Sequence, residues 1–207
     1  MSYVYVEREG KSPDAPLLLL LHGYGSNEAD LFSFASYIPA QYHVVSLRAP
    51  LVMSSESYAW FPIHFTESME RWTNPEEVSK ATSFIAAFLS FYQEKESFDK
   101  NRIYLMGFSQ GAMLSYAVGL STKSVKGIAA LSGYIDPRVV AVNNNSIASI
   151  YVSHGTEDMV VPYDWAEQSV AKLKEYGFSP EFHAYPQGHG INQDNLTSII
   201  HWLQAQL

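Results

Sequence analysis

The chain has 207 residues, of which 47% are hydrophobic and 16% charged, with a formal net charge of −8 and no cysteine. This length and composition predict one globular domain over residues 1–207 and exclude an intrinsically disordered chain. The acidic balance, without any basic run, argues against nucleic acid and anionic membrane surfaces as partners, and the lack of cysteine excludes disulfides and thiolate chemistry.

The N-terminal residues show no basic segment followed by an apolar core, so no signal peptide is predicted. The longest early apolar run, residues 17–21, is far too short to span a bilayer. We therefore expect a cytoplasmic protein without stable membrane insertion.

Short apolar runs alternate with helical patterns along the chain. Runs rich in Leu, Val, Ile and Tyr predict strands at residues 3–7, 17–22, 43–47, 103–107, 125–131, 147–154 and 181–185. Apolar stripes predict helices over 76–96, 165–176 and 192–207, and Asn74 and Pro75 supply an N-cap and a first helical residue. This alternation predicts an α/β fold with a mostly parallel central sheet, helices on both faces and a ligand crevice at the carboxyl ends of the strands.

The stretch 49–73 lacks clear periodicity and is rich in aromatic residues, including Trp60, Phe61, Phe65 and Trp72. Long irregular loops in compact domains often carry function, so Trp60, Phe61 and Phe65 are candidates for lining a substrate pocket. Hydrophobic packing over the sheet edge is an equally good explanation. If these side chains are exposed, they could instead serve a homodimer interface.

Residues 107–111 follow the pattern Gly-x-Ser-x-Gly, directly after a predicted strand and before a helix-like segment. This context is typical of a nucleophile elbow, a tight turn that holds Ser109 in a strained conformation with its hydroxyl exposed. Glycine fits positions 107 and 111 because side chains there would collide as the chain doubles back. The alternative is a serine that caps the helix, and the strand–turn–helix context favours the nucleophile.

A serine nucleophile needs an imidazole base, and the base needs a carboxylate that fixes its tautomer. His189, between two glycines after the strand 181–185, is the predicted base, with a surface turn histidine as the alternative. Asp158, in the loop after the strand 147–154, is the predicted acid, and Asp136 is its strongest rival. The order Ser109, Asp158, His189 is the chain order of α/β-hydrolases.

Acyl transfer also needs donors for the charge that develops on the carbonyl oxygen. The backbone N–H of Gln110 is one candidate, and the glycine-bearing turn at residues 22–27 should supply the second. That turn lacks both the Gly-Lys-Ser/Thr ending and the third glycine of nucleotide-binding loops, so an oxyanion loop is the better interpretation.

With these motifs, the chain resembles the small carboxylesterase / acyl-protein thioesterase / lysophospholipase family of α/β-hydrolases. The matches lie at residues 21–27, 107–111, 153–158 and 188–189 and span most of the chain. The resemblance implies Ser109 as nucleophile with Asp158 and His189 as its partners, and no metal or organic cofactor. It also implies an oxyanion hole formed by the N–H groups of Tyr24 and Gln110. An acyl pocket would be lined by Trp60, Phe61, Met159 and Val160.

Two departures indicate the branch of the family. Ser26 and Pro62 stand where thioesterase members often have aspartate, which makes the chain more similar to the bacterial carboxylesterases. We therefore expect an α/β-hydrolase without a large cap domain that cleaves small carboxylic esters with short to medium acyl chains. A lysophospholipase or an acyl-thioesterase would use the same triad, and a non-catalytic binding module on a hydrolase scaffold is the rival from another class.

Overall fold

Residues 2–65, 71–95, 98–143 and 145–207 are described in the computed structural model of the protein. The strands are β1 (Tyr5–Arg8), β2 (Pro16–Leu21), β3 (His43–Leu47), β4 (Leu51–Ser54), β5 (Ser57–Ala59), β6 (His64–Phe65), β7 (Arg71–Trp72), β8 (Asp99–Phe108), β9 (Val125–Leu131), β10 (Ser149–Gly155) and β11 (Glu181–Tyr185). The helices are α1 (Ala29–Phe32), α2 (Pro75–Lys95), α3 (Gln110–Ser121), α4 (Tyr163–Glu175) and α5 (Gln193–Ala205).

Seven of the strands form one sheet in the order β1-β3-β2-β8-β9-β10-β11. Strand β1 is antiparallel to β3, and every other neighbouring pair is parallel. The predicted α/β-hydrolase architecture is confirmed. Within the described ranges, no helix is long and apolar enough to cross a membrane.

The sequence of β2 shows why the sheet needs helices on both faces. Leu17, Leu19 and Leu21 pack in the cluster that includes side chains of α2, α3 and α4. Leu18 and Leu20 point to the other cluster, which includes side chains of α1 and α5. A strand that is covered on both faces carries a continuous apolar run rather than an alternating one.

All seven predicted strands are in the central sheet, but β8 begins four residues earlier than its apolar run indicates. The additional residues, 99–102, are polar and lie outside the hydrophobic core, so the apolar pattern does not include them. Backbone pairing extends the strand, because the N–H of Asp99 donates to the carbonyl of Ala15 at 2.9 Å.

The prediction of irregular structure over 49–73 was wrong for the described part of that stretch. Strands β4 and β5 form one antiparallel hairpin, and β6 and β7 form another. Trp60 and Phe61 follow β5 and are almost completely buried in the core, so they offer no exposed aromatic surface. The side chains of Phe65 and Trp72 lie outside the described residues.

We expect Leu19→Ala to lower the free energy of unfolding by about 2–5 kcal/mol, because truncation of a fully buried leucine leaves a cavity in the sheet core. Ile147→Ala is the control, since Ile147 is 71% exposed and its truncation should change stability by about 0.5 kcal/mol or less. Urea denaturation of both variants measures the difference. Equal losses in the two variants would contradict the burial of Leu19 in the sheet core.

Candidate active site

Ser109 occupies the turn between β8 and α3 with φ 55° and ψ −115°. This backbone conformation is costly for a residue with a side chain, and such strain persists only where surrounding bonds hold it. The N–H of Ser109 donates to the carbonyl of Leu131 on β9 at 2.9 Å. Its own carbonyl accepts from Ala112 and Met113, at 3.0 and 3.2 Å. Bonds on both sides therefore fix the strained serine at the carboxyl edge of the sheet.

The two glycines that flank Ser109 are required by contacts between backbones. A Cβ atom at Gly107 would lie 2.1 Å from the carbonyl oxygen of Gly111. A Cβ atom at Gly111 would lie 1.9 Å from the carbonyl oxygen of Leu21, at the end of β2. The first turn of α3 therefore packs directly on β2, and only glycine allows this approach.

His189 and Asp158 come together from the loops after β11 and β10. The Nδ1 atom of His189 lies 2.7 Å from Oδ2 of Asp158, whose side chain is fully buried. The other carboxylate oxygen accepts from the N–H groups of Val160 and Val161, at 2.8 and 2.9 Å. Because Nδ1–H donates to the carboxylate, Nε2 of His189 is the atom left to accept a proton. The imidazole packs 4.8 Å from the ring of Phe108, the residue before Ser109.

Gln187 shapes the turn that carries His189. Its side-chain amide donates to the carbonyl of Gly190 at 2.7 Å and accepts from the N–H of Asn192 at 2.8 Å. Its backbone carbonyl would be only 2.3 Å from a Cβ atom at Gly155, so glycine at the end of β10 lets the two loops meet. In the sequence, Gln187 looks like any polar loop residue, and no local pattern distinguishes it.

The turn after β2 lies against Ser109. Ser26 closes it with a hydrogen bond from its N–H to the carbonyl of Gly23 at 3.3 Å, and Gly25 supplies the positive φ of 78°. A Cβ atom at Gly23 would be 3.4 Å from Cβ of Ser109. Among the described residues, the backbone N–H groups of Tyr24 and Gln110 have no acceptor. Both predicted oxyanion donors therefore lack a partner within the described chain.

Burial lowers the pKa of His22, whose backbone carries this turn. Its Nε2 accepts from the N–H of Ala49 at 3.1 Å, and its Nδ1 lies 2.7 Å from the carbonyl of Gly23. The carbonyl of His22 accepts from the indole N–H of Trp60 at 2.8 Å. This histidine therefore serves local hydrogen bonding.

The side chain of Gln110 has a structural role that the sequence did not indicate. Its Oε1 accepts from the N–H of Trp60 at 3.2 Å, and its Nε2 donates to the carbonyl of Phe61 at 2.8 Å. Gln110 thus holds the backbone of the aromatic pair. Trp60 and Phe61 also line a cavity of about 1030 Å³, together with Ala49, Leu51, Tyr58 and Phe84 among others, whereas Ser109, Asp158 and His189 do not line it.

Met159 and Val160, the other predicted pocket residues, lie elsewhere. They follow Asp158 and are 94% and 42% exposed, and neither lines the cavity. The structure therefore brings Trp60 and Phe61 together at one cavity and leaves Met159 and Val160 on the loop that holds the carboxylate.

Asp136, the rival acid, is already paired with Arg138. Burial alone would raise its pKa, but hydrogen bonds from Arg138 outweigh burial and lower it. The Nη2 atom of Arg138 lies 2.6 Å from Oδ2 of Asp136. Asp158 is thus the carboxylate that meets the predicted base. In the part of the chain that the structure describes, no group of three His, Asp or Glu residues could hold a metal ion.

The chain is similar in sequence to an acyl-protein thioesterase and a lysophospholipase-like protein, and in structure to an esterase. The family model described as Phospholipase/Carboxylesterase matches residues 3–207. Acyl-protein thioesterase 1 of Mycosarcoma maydis is 29% identical over 87% of this chain and 85% of that protein. Lysophospholipase-like protein 1 of Mus musculus is 25% identical over 73% of this chain and 65% of that protein. The crystal structure of esterase PE8 superposes with a TM-score of 0.86, at 27% identity and full coverage of both chains.

We expect Gly111→Ala to destabilise the fold by about 3 kcal/mol or more, because the new methyl group collides with the backbone of Leu21. Gly190→Ala is the matched control, since a Cβ atom there meets nothing within 4 Å. Thermal unfolding of the two variants provides the comparison. A wild-type melting temperature for Gly111→Ala would show that α3 does not need this close approach.

Proposed function

The chain belongs to the phospholipase/carboxylesterase family and is a hydrolase of ester or thioester bonds, and we propose that it cleaves carboxylic esters with short to medium acyl chains through Ser109, His189 and Asp158. The observation that carries this proposal is the 2.7 Å hydrogen bond between Asp158 and His189, on the loops beside the strained serine. A buried carboxylate that orients an imidazole is the arrangement that activates a serine hydroxyl.

In the first half of the reaction, Oγ of Ser109 attacks the ester carbonyl while Nε2 of His189 takes the hydroxyl proton. The carboxylate of Asp158 stabilises the imidazolium that forms. The N–H groups of Tyr24 and Gln110 bind the oxyanion, and each such donor contributes about 3 kcal/mol to lowering the barrier. The C–O bond then breaks, and the alcohol leaves with the proton from His189.

In the second half, water attacks the acyl group on Ser109. His189 takes a proton from that water and returns it to Oγ as the acyl–serine bond breaks. The carboxylic acid leaves, and the serine hydroxyl is restored. Apart from the ester and water, each of these steps uses side chains and backbone groups of this chain.

The cavity behind Trp60 and Phe61 supports a site for the acyl chain. Its named lining is mainly apolar, which suits a hydrocarbon chain. Gln110, the residue after Ser109, binds the backbone of the aromatic residues in its wall. A thioester or a lysophospholipid would present the same acyl group with a different leaving group. A panel that varies acyl length and leaving group separately distinguishes these substrates.

We expect Ser109→Ala to reduce hydrolysis of p-nitrophenyl butyrate by about 10⁴-fold or more, because no other group can form the acyl-enzyme. Ser121→Ala, at the far end of the same helix, should keep wild-type activity. Circular dichroism should show that both variants are folded. Full activity of folded Ser109→Ala would refute the proposed function, and an inactive wild type would favour a binding module.

We expect Ser83→Phe to shift acyl preference towards short esters, because Ser83 on α2 lines the cavity and a phenyl ring would fill part of it. Ratios of kcat/KM for butyrate and decanoate esters measure the shift, which should be about tenfold or more if several methylenes lose their contacts. Ser90→Phe is the matched control on the same helix, outside the cavity lining. An identical ratio in Ser83→Phe and the wild type would place the acyl chain elsewhere.

A further inference from the structure

A second histidine lies beside the carboxylate of the candidate triad. His154, near the end of β10, is completely buried. Its Nε2 lies 2.9 Å from the carbonyl oxygen of Val161 and 3.4 Å from Oδ2 of Asp158. A carbonyl oxygen can only accept, so Nε2 carries a hydrogen. That hydrogen lies close to the same carboxylate oxygen that His189 binds.

The other nitrogen of this ring is unusual. Among the described residues, Nδ1 of His154 has no hydrogen-bond partner, although the atom is buried. A buried polar atom without a partner costs about 1–3 kcal/mol, and such atoms call for an explanation. Local packing alone does not explain a histidine at this position, because an apolar side chain there would avoid the cost of the unpartnered nitrogen.

The backbone of Val161 connects His154 to Asp158. Its carbonyl accepts from His154, and its N–H donates to Oδ1 of Asp158 at 2.9 Å. His154 therefore acts on the carboxylate in two ways: it holds the backbone segment that binds Oδ1, and its N–H dipole lies near Oδ2. Both effects favour one orientation of the ionised carboxylate.

We propose that His154 is a positioning residue for the Asp158–His189 pair, which holds the carboxylate of Asp158 in the orientation that the imidazole requires. For its effect on kcat the inference rests on the proposed function, whereas the orientation of the Asp158 carboxylate can be tested without it. The ring of Tyr163 also packs against His154, with the two ring centres 6.2 Å apart. His154 itself need not touch substrate.

Two amide variants separate the hydrogen bond from burial of a polar group. The amide nitrogen of His154→Gln can reach the place of Nε2, whereas that of His154→Asn reaches only the place of Nδ1. We expect His154→Asn to lower kcat about tenfold or more with little change in KM, as loss of a bond to a charged network implies, and His154→Gln to retain most of the activity. Equal losses in the two folded variants would overturn the inference.

A double-mutant cycle tests whether His154 acts through Asp158. In an Asp158→Asn background, His154→Asn should change the remaining kcat by about twofold or less, because the interaction is already broken. A full tenfold loss in that background would show an independent, purely structural effect and would contradict the assignment.

A spectroscopic measurement keeps this test separate from the proposed function. The proton between Nδ1 of His189 and Asp158 should give a downfield NMR resonance, which His154→Asn should shift or broaden and His154→Gln should preserve. An unchanged resonance in His154→Asn would overturn the inference even if the wild type is a good esterase. If the wild type has no esterase activity but its resonance responds to His154→Asn, the proposed function fails while the positioning role stands.

Discussion

The close approach of α3 to the end of β2 is the contact on which the site depends. Because Gly111 lets the helix begin against the backbone of Leu21, the chain must turn sharply at Ser109. The same contact places Gly23 beside Ser109 and directs the first N–H of the helix away from any acceptor in the described chain. The positions of the proposed nucleophile and of both proposed oxyanion donors thus follow from one approach between backbones.

Backbone hydrogen bonds and packing maintain the strained conformation of Ser109. A residue held outside the favoured backbone regions costs about 1–3 kcal/mol, a substantial fraction of a typical stability of about 5–15 kcal/mol. Three backbone hydrogen bonds fix the N–H and the carbonyl of Ser109, and the buried helix behind it leaves no room to relax. The strained geometry is therefore already present before any substrate binds, which is what electrostatic preorganisation requires.

The carboxylate of Asp158 illustrates a second constraint, because an ionised group without water needs complete hydrogen bonding. Two backbone N–H groups satisfy Oδ1, and His189 satisfies Oδ2. The hydrogen bond from His189 thus offsets part of the free-energy cost of burying this carboxylate. The hydrogen bond that makes this burial tolerable also sets the orientation of His189 on which the proposed function relies.

The sequence predicted those parts that depend on local pattern or on order along the chain. Apolar runs identify the seven strands of the sheet, and the glycines around Ser109 identify the turn. The sequence failed where long-range contacts decide. The hairpins within 49–73 are too short to show periodicity, and the burial of Trp60 and Phe61 depends on Gln110, which lies about 50 positions later. The roles of Gln187 and His154 likewise depend on which loops meet in space.

Covalent labelling with a fluorophosphonate probe tests the role of Ser109 most directly, because the probe reacts only with a serine that is already activated. After labelling of the folded protein and proteolysis, mass spectrometry should find one adduct, on the peptide that contains Ser109, and heat-denatured protein should give none. An adduct on another serine, or no adduct on the folded protein, would contradict a nucleophile at the turn between β8 and α3.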